Sequence, residues 1–254
     1  PATRASGVNV VSEVWVEQFV KSTWGQGTVN GAAIYNYHTP TIYDSSYEFE
    51  AGNPNNIITG CVATGIAQIL RYFEWPQAAI GSKTGTCTIS FRDSSSVPAS
   101  VIVTKNLRGG NGNGGRYDWS LMDLKPNGSE PESHHQQIGA LSFDAGLSVM
   151  MNYNMENKGE SGSSYTPWAF TNFFGYSSAS SGTNYEYFRS NLDARRPVAI
   201  SISKPIPGQS GHAIIGDGYG RLDGRWYYHM NMGWHGGSDA WYSFEEHFTA
   251  GGLW

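Results

Sequence analysis

Apolar residues recur at helical spacing in one stretch more clearly than anywhere else in the chain. In "ITGCVATGIAQILRYF", Ile58 to Phe73, the apolar positions Val62, Ile66, Ile69, Leu70 and Phe73 fall at i, i+4, i+7, i+8 and i+11. That pattern predicts an amphipathic helix, with Thr59 available as its cap and Pro76 to stop it. A similar reading predicts a helix over Ser12 to Ser22, where Val14, Trp15, Phe19 and Val20 are apolar. "HHQQIGALSFDAGLSVMMNY", His134 to Tyr153, is expected to be a third helix, with Ile138, Leu141, Ala145 and Val149 on one face. Thr166, Pro167 and Gly175 give "TPWAFTNFFG" a cap, a first helical residue and a stop. "NYEYFRSNLDA" reads as a short helix ending before Pro197.

Elsewhere the pattern is that of strands. "CTISF" and "SVIVTK" are strand-like, and after Pro197 the character changes altogether. "PVAISIS", "GHAIIGDGY", "GRWYYHMNMGW" and "DAWYSF" read as successive strands joined by tight turns. Helices dominate the first two-thirds and antiparallel sheet the last third. The fold class is therefore α+β, with a helical lobe over roughly 10–195 and a sheet-rich lobe over roughly 196–254 that takes N-terminal contributions. Residues 1–254 are expected to form a single domain. The loops are Gly-rich, as in "RGGNGNGG" from Arg108 to Gly115 and the surface loop expected near 159–164.

Composition narrows the function. With 254 residues, 39% of them hydrophobic, the chain has enough apolar material for a substantial core. Only 16 residues are Lys or Arg, the formal net charge is −5, and no basic cluster appears, so nucleic acid is a poor partner. No apolar run reaches membrane-spanning length. "PATRASGVNV" lacks the apolar core of a signal peptide, which fits a mature or trimmed form. Low Lys content with abundant Ser, Thr, Asn and Gly fits an exported protein.

There are two cysteines, Cys61 and Cys87. They allow one disulfide at most, and that is the plain reading of Cys61. The other reading starts from its position. A thiol at a helix N-terminus feels the positive end of the helix and its unpaired N–H groups, which favour the reactive thiolate. The same N–H groups can hold an oxyanion, and Gly60 lets a substrate approach the backbone. Such a thiolate needs a base, usually His. No HExxH-like spacing occurs among the seven histidines, so a metal site is not expected. His134 and His135, at a polar helix start, are expected in solvent. His38 and His247 have no informative neighbours, His229 alternates within a strand, and His235 follows a Trp in a Gly-rich turn. His212 opens a strand after the small Gly211 and before "AIIG", a setting that suits a base facing a cleft. One strand later, Asn231 and Trp234 in "HMNMGWHGG" can orient that imidazole and shield it, or serve as a turn residue and a core residue.

Taken together, these segments resemble a known family. "TGCVATGIAQILRYFEWP", "GHAIIGDGY" and "YHMNMGWHGG" are similar to the Cys, His and Asn-Trp segments of the streptopain family of papain-like cysteine peptidases, and "WGQG", Trp24 to Gly27, resembles its glutamine segment. The blocks occur in the family's order and span residues 24 to 237. The resemblance implies a papain-like two-lobed fold and a secreted or cell-surface bacterial endopeptidase, made as a zymogen whose N-terminal pro-segment is removed. It implies protein or peptide substrates and no cofactor or metal. It implies Cys61 as nucleophile, His212 as general base and acid, Gln26 in the oxyanion hole and Asn231 orienting His212. Trp234, Gly60, Gly211 and Ser163 would border the substrate, Ser163 through the loop "GESGSSY" beside the S2 pocket. Cys87 is then a lone packing thiol. The family's "NWGWGG" reads "NMGWHGG" here, so Met232 stands for a Trp and His235 for a Gly. The rivals are another thiol acyl-transfer enzyme, of transglutaminase or amidase type, and a catalytically decayed binding module with aromatic carbohydrate-binding surfaces.

Overall fold

The computed structural model describes residues 5–43, 45–92, 98–154, 167–203, 211–244 and 248–249. Ser163 and Thr166, the loop at 159–164 and His247 lie outside the described residues. Among the described residues the named elements, in chain order, are strand β1 (Glu13–Val16), helix α1 (Cys61–Phe73), strands β2 (Thr84–Arg92) and β3 (Pro98–Asn106), helix α2 (Glu132–Ser148), strand β4 (Asn152–Asn154), helix α3 (Tyr185–Asp193) and strands β5 (Val198–Ile202), β6 (His212–Leu222), β7 (Arg225–Asn231) and β8 (Ala240–Tyr242). Three further pairings involve two-residue strands, and short 3-10 and π turns occupy Trp119–Leu121 and Ala169–Phe173.

The first core is built around α1 and α2. Val62, Ile66 and Leu70 of α1 meet Ile138, Leu141 and Ala145 of α2, and all six are buried. The hairpin of β2 and β3, with β4 parallel on its other edge, closes this core from one side through Cys87 and Ile89. Burying a Leu or Ile here contributes about 1.5–3 kcal/mol each against leaving it exposed. The second core lies on the antiparallel sheet β5-β6-β7-β8, with Ile214, Tyr219, Tyr228, Met230 and Met232 buried. Phe188 and Leu192 pack α3 into this second core. Val20, Ile69 and Ile215 form a small third cluster where α1 lies on β6.

Three expectations are corrected. The segment 12–22 is not a helix. Glu13–Val16 runs as a strand beside β6, with Val16 opposite Tyr219 and Val14 opposite Gly220. Gly220 permits this closeness, since a Cβ there would sit 2.4 Å from the Glu13 carbonyl oxygen. The β-branched Val14 and Val16 suit the strand, and sheet pairing outweighs the helical spacing. The third helix stops at Ser148, and the chain turns at Met150 (φ 52°) to form β4. Thr59 does not cap α1; its hydroxyl donates to the Ser142 carbonyl, and Gly60, at φ 92°, takes the cap position. The helix does end as expected, with Glu74 left-handed just before Pro76.

The candidate active site

Helix α1 positions the site through one polar stripe on an apolar helix. Cys61, Thr64 and Gln68 lie at i, i+3 and i+7, so they share a face. That face meets the segments around residues 22–27 and 231–235. Thr64 Oγ1 donates to the Gly25 carbonyl at 3.1 Å. A Cβ on Gly233 would touch the Thr64 methyl at 3.3 Å. Gln68, wholly buried, accepts from Ser22 Oγ at 2.9 Å, the Trp24 amide at 3.1 Å and Asn231 Nδ2 at 3.1 Å. Its own amide donates to Asn231 Oδ1 at 3.2 Å. The mouth of the helix is thus held between the glutamine segment and the Asn-Trp segment, with Cys61 as its first residue and part-exposed.

Gln26 sits on the same side. Its carbonyl accepts the Thr59 amide at 2.8 Å, tying the turn before Cys61 to the glutamine segment. Gly25 leaves room for His235, whose ring would lie 2.3–2.6 Å from a Cβ at that position. His235 also packs on Tyr35, ring centres 5.2 Å apart. One of the two residues that depart from the family pattern therefore braces the glutamine segment. Gly60 adopts a conformation that L-residues disfavour. Gly211 is exposed, and a Cβ there would press on the Ile202 carbonyl at 2.7 Å.

His212 opens β6 and is 7% exposed. The Trp234 indole stacks on its ring at 4.5 Å, with the planes 24° apart. Its Nε2 lies 2.8 Å from the main-chain carbonyl oxygen of Met232. Burial lowers the imidazole pKa, and this carbonyl opposes the shift by favouring the charged form. A carbonyl only accepts, so Nε2 carries the proton in this arrangement.

The orienting bond therefore departs from expectation. Asn231 does not reach His212. Its side chain donates to the Ser22 carbonyl at 2.8 Å and to Gln68, and its Oδ1 accepts the Gly233 amide at 3.0 Å. The physical reason is the demand of Gln68: a buried amide must be satisfied, and Asn231 is the group that satisfies it. Asn231 shapes the turn, and the next residue's backbone meets the histidine. This also accounts for Met232. Its side chain is fully buried in the sheet core, and a main-chain acceptor does not depend on which side chain stands there.

Three other histidines face carboxylates. His134 pairs with Asp123 at 2.6 Å, and His135, 8% exposed, faces Glu130 at 3.5 Å, so neither is the solvent residue expected. His229 meets the buried Asp217 at 2.6 Å. Neither Cys61 nor Cys87 forms a disulfide, which removes that reading. Among the described residues no helix is long and apolar enough to cross a membrane.

Comparison with known proteins gives the family. The model of the peptidase C10 family matches residues 24–242, and the chain belongs to that family. Streptopain of Streptococcus pyogenes is 30% identical over 218 residues, covering 83% of this chain and 52% of streptopain. The thiol protease/hemagglutinin PrtT of Porphyromonas gingivalis is 28% identical over 224 residues, covering 79% of this chain and 22% of PrtT. This chain thus spans about half the length of streptopain and less of PrtT. Among solved structures, the active interpain A cysteine protease of Prevotella intermedia superposes with a TM-score of 0.66 at 26% identity, covering 91% of this chain and 86% of that one. A fragment of its precursor, prointerpain A, gives 0.61 at 25% identity, covering 92% and 66%. The fold is the papain-like one, of mixed α+β class.

Proposed function

We propose that this chain is a cysteine endopeptidase, with Cys61 as nucleophile and His212 as its proton carrier. The observation that carries the proposal is the arrangement around His212. A strand-borne imidazole, stacked on Trp234 and held at Nε2 by a main-chain carbonyl, opens the strand against which the helix that begins with the Cys61 thiol packs.

The tautomer follows from that bond. With Nε2 protonated, Nδ1 is the nitrogen that exchanges a proton with the thiol. The Cys61 thiolate attacks the peptide carbonyl carbon, and the C–O π pair becomes the oxyanion. Gln26 and the amides at the start of α1 stabilise that charge. His212 then gives its Nδ1 proton to the leaving nitrogen as the C–N bond breaks. A water enters, Nδ1 takes one of its protons, and its oxygen displaces the thiolate from the thioester. Gly60 and Gly211 border the substrate strand, with Trp234 on the leaving-group side; Ser163, outside the described residues, keeps only the substrate-bordering role that the family resemblance implies. Residues 1–254 act as one catalytic domain, since both cores contribute to the wall of the site.

The same reading makes the enzyme a secreted or cell-surface bacterial protease, released from a precursor by removal of a pro-segment. Support comes from the bacterial relatives and from the likeness to prointerpain A. The substrates are proteins or peptides.

The test is product analysis. Incubation with a denatured protein is expected to yield new peptide N-termini, and quenching at early times a thioester adduct on the peptide containing Cys61. Release of ammonia from glutamine without chain cleavage would instead establish the amidase or transglutaminase reading. No turnover and no adduct would establish a binding module.

A further inference from the structure

The loop between β7 and β8 carries two groups that hold His212. Met232 supplies the carbonyl and Trp234 the stacked indole. The loop is strained in the ordinary sense of turns: Gly233, His235, Gly236 and Ser238 all have positive φ. Its two ends are joined by one side chain. Asp239 Oδ1 accepts the Met232 amide at 2.7 Å. The Met232 residue is therefore gripped on both sides, its N–H by Asp239 and its C=O by His212. We propose that Asp239 is a positioning residue for the peptidase reaction, fixing through Met232 the direction in which the orienting carbonyl points. This rests on the proposed function above.

The geometry argues for a specific effect. The Met232 N–H and C=O belong to neighbouring peptide planes joined at one Cα, so rotation at residue 232 moves the carbonyl. Asn231 fixes the peptide on the C-terminal side, through the Gly233 amide. Asp239 fixes the one on the N-terminal side. With both fixed, the carbonyl has one direction, toward Nε2. Asp239 is half-buried, near Asp217, His229 and Lys125. Burial pushes its carboxyl up to about 6, and the Met232 amide is the strongest group opposing that shift. The bond therefore favours the ionised acceptor, and a charged acceptor makes the stronger hydrogen bond. The Asp217–His229 pair beside it is a separate anchor, whose other carboxylate oxygen accepts the Val20 amide at 2.8 Å.

The test compares Asp239→Ala with Asp239→Asn, because an amide oxygen still accepts the Met232 N–H while alanine offers nothing. Kinetics with a peptide substrate, melting curves and a proton spectrum of the 15N-histidine-labelled protein are recorded on each. In Asp239→Ala, kcat is expected to fall by about tenfold to 10²-fold, as for a small misplacement of a catalytic group, with KM within about twofold. Its His212 Nε2–H resonance should lose its hydrogen-bonded shift. Asp239→Asn should recover kcat to within about threefold of the parent and keep that resonance. If the alanine variant does not fold, Asp239→Ser takes its place, since a serine hydroxyl is too short to span to the amide. Three results would overturn the proposal. One is a folded alanine or serine variant with unchanged kcat. The second is an asparagine variant as slow as the alanine one. The third is a loss of rate with the His212 resonance unmoved, which would mean that Asp239 only stabilises the hairpin.

Discussion

Cys61 and Cys87 lie against the same hydrophobic core, and their chemistry differs because of the backbone each occupies. Cys87 sits inside β2, opposite Val103, and is 1% exposed. Burial pushes its thiol up to about 11, with Lys105 only partly opposing. Cys61 opens α1 and is part-exposed, with helix N–H groups at its back. The strand offers a thiol little charge and no water. The helix mouth offers both. Residue type alone decides little; the thiolate form and access to it decide reactivity.

The most direct way to break this comparison is to delete each sulfur in turn. Cys61→Ala is expected to lower peptide hydrolysis by about 10⁴-fold or more, as loss of a nucleophile does elsewhere. Cys87→Ala should leave kcat within about twofold for the folded protein, because a buried thiol whose pKa burial raises takes no part in the chemistry. Substantial turnover by Cys61→Ala, measured with its melting curve unchanged, would remove the distinction.

Gln26→Ala should reduce kcat by about 10²–10³-fold if its amide serves the oxyanion, with a smaller change in KM. Steady-state kinetics on one peptide series distinguishes this from a structural role, where kcat would move by less than about threefold.

Alkylation gives the next measure. Iodoacetamide at neutral pH should modify Cys61 first, with Cys87 reacting at least about 10²-fold more slowly. The sign for Cys87 follows from its raised pKa. Its thiolate fraction is small at neutral pH and grows about tenfold per unit of pH up to about 11. Peptide mapping of samples labelled at several pH values reads both rates, and equal labelling at neutral pH would contradict the comparison.

The smallest effect concerns packing. Cys87→Ser buries a hydroxyl in place of a weakly polar thiol and should cost about 1–3 kcal/mol of stability without altering kcat. Denaturant titration measures it.

Much of this is legible in the residues, and the boundary is physical. Helix α1, the hairpin of β2 and β3 and the final sheet carry long, strong periodicities, and they appear where the spacing puts them. Cys61, Gln26 and His212 stand out because each chemistry has a residue type. The segment 12–22 misleads because its spacing suits a helix locally, while the glycines of β6 that admit a strand lie far along the chain. His135 misleads for the same kind of reason, since its burial depends on Glu130 and the fold around it. The orienting carbonyl of Met232 is unreadable in principle. Every residue has a carbonyl, so nothing in the letters marks the one that matters. Asn231 draws attention instead, as the nearest side chain of the right type. Gln68 does leave a signal: a polar residue seven positions after Cys61, on the same helix face as Thr64.

Gln68 also bears on how the protein is made. The chain leaves the ribosome from its N-terminus, so Ser22, Trp24 and Gln68 are available long before Asn231. Until residue 231 arrives, the amide at the centre of α1 lacks its last two bonds and the wall behind the cysteine stands incomplete. His212 and the loop that aims it are also translated late. On the proposed peptidase reading, the site is completed only after the residues around 231–239 have been delivered, so a chain still short of them cannot cut.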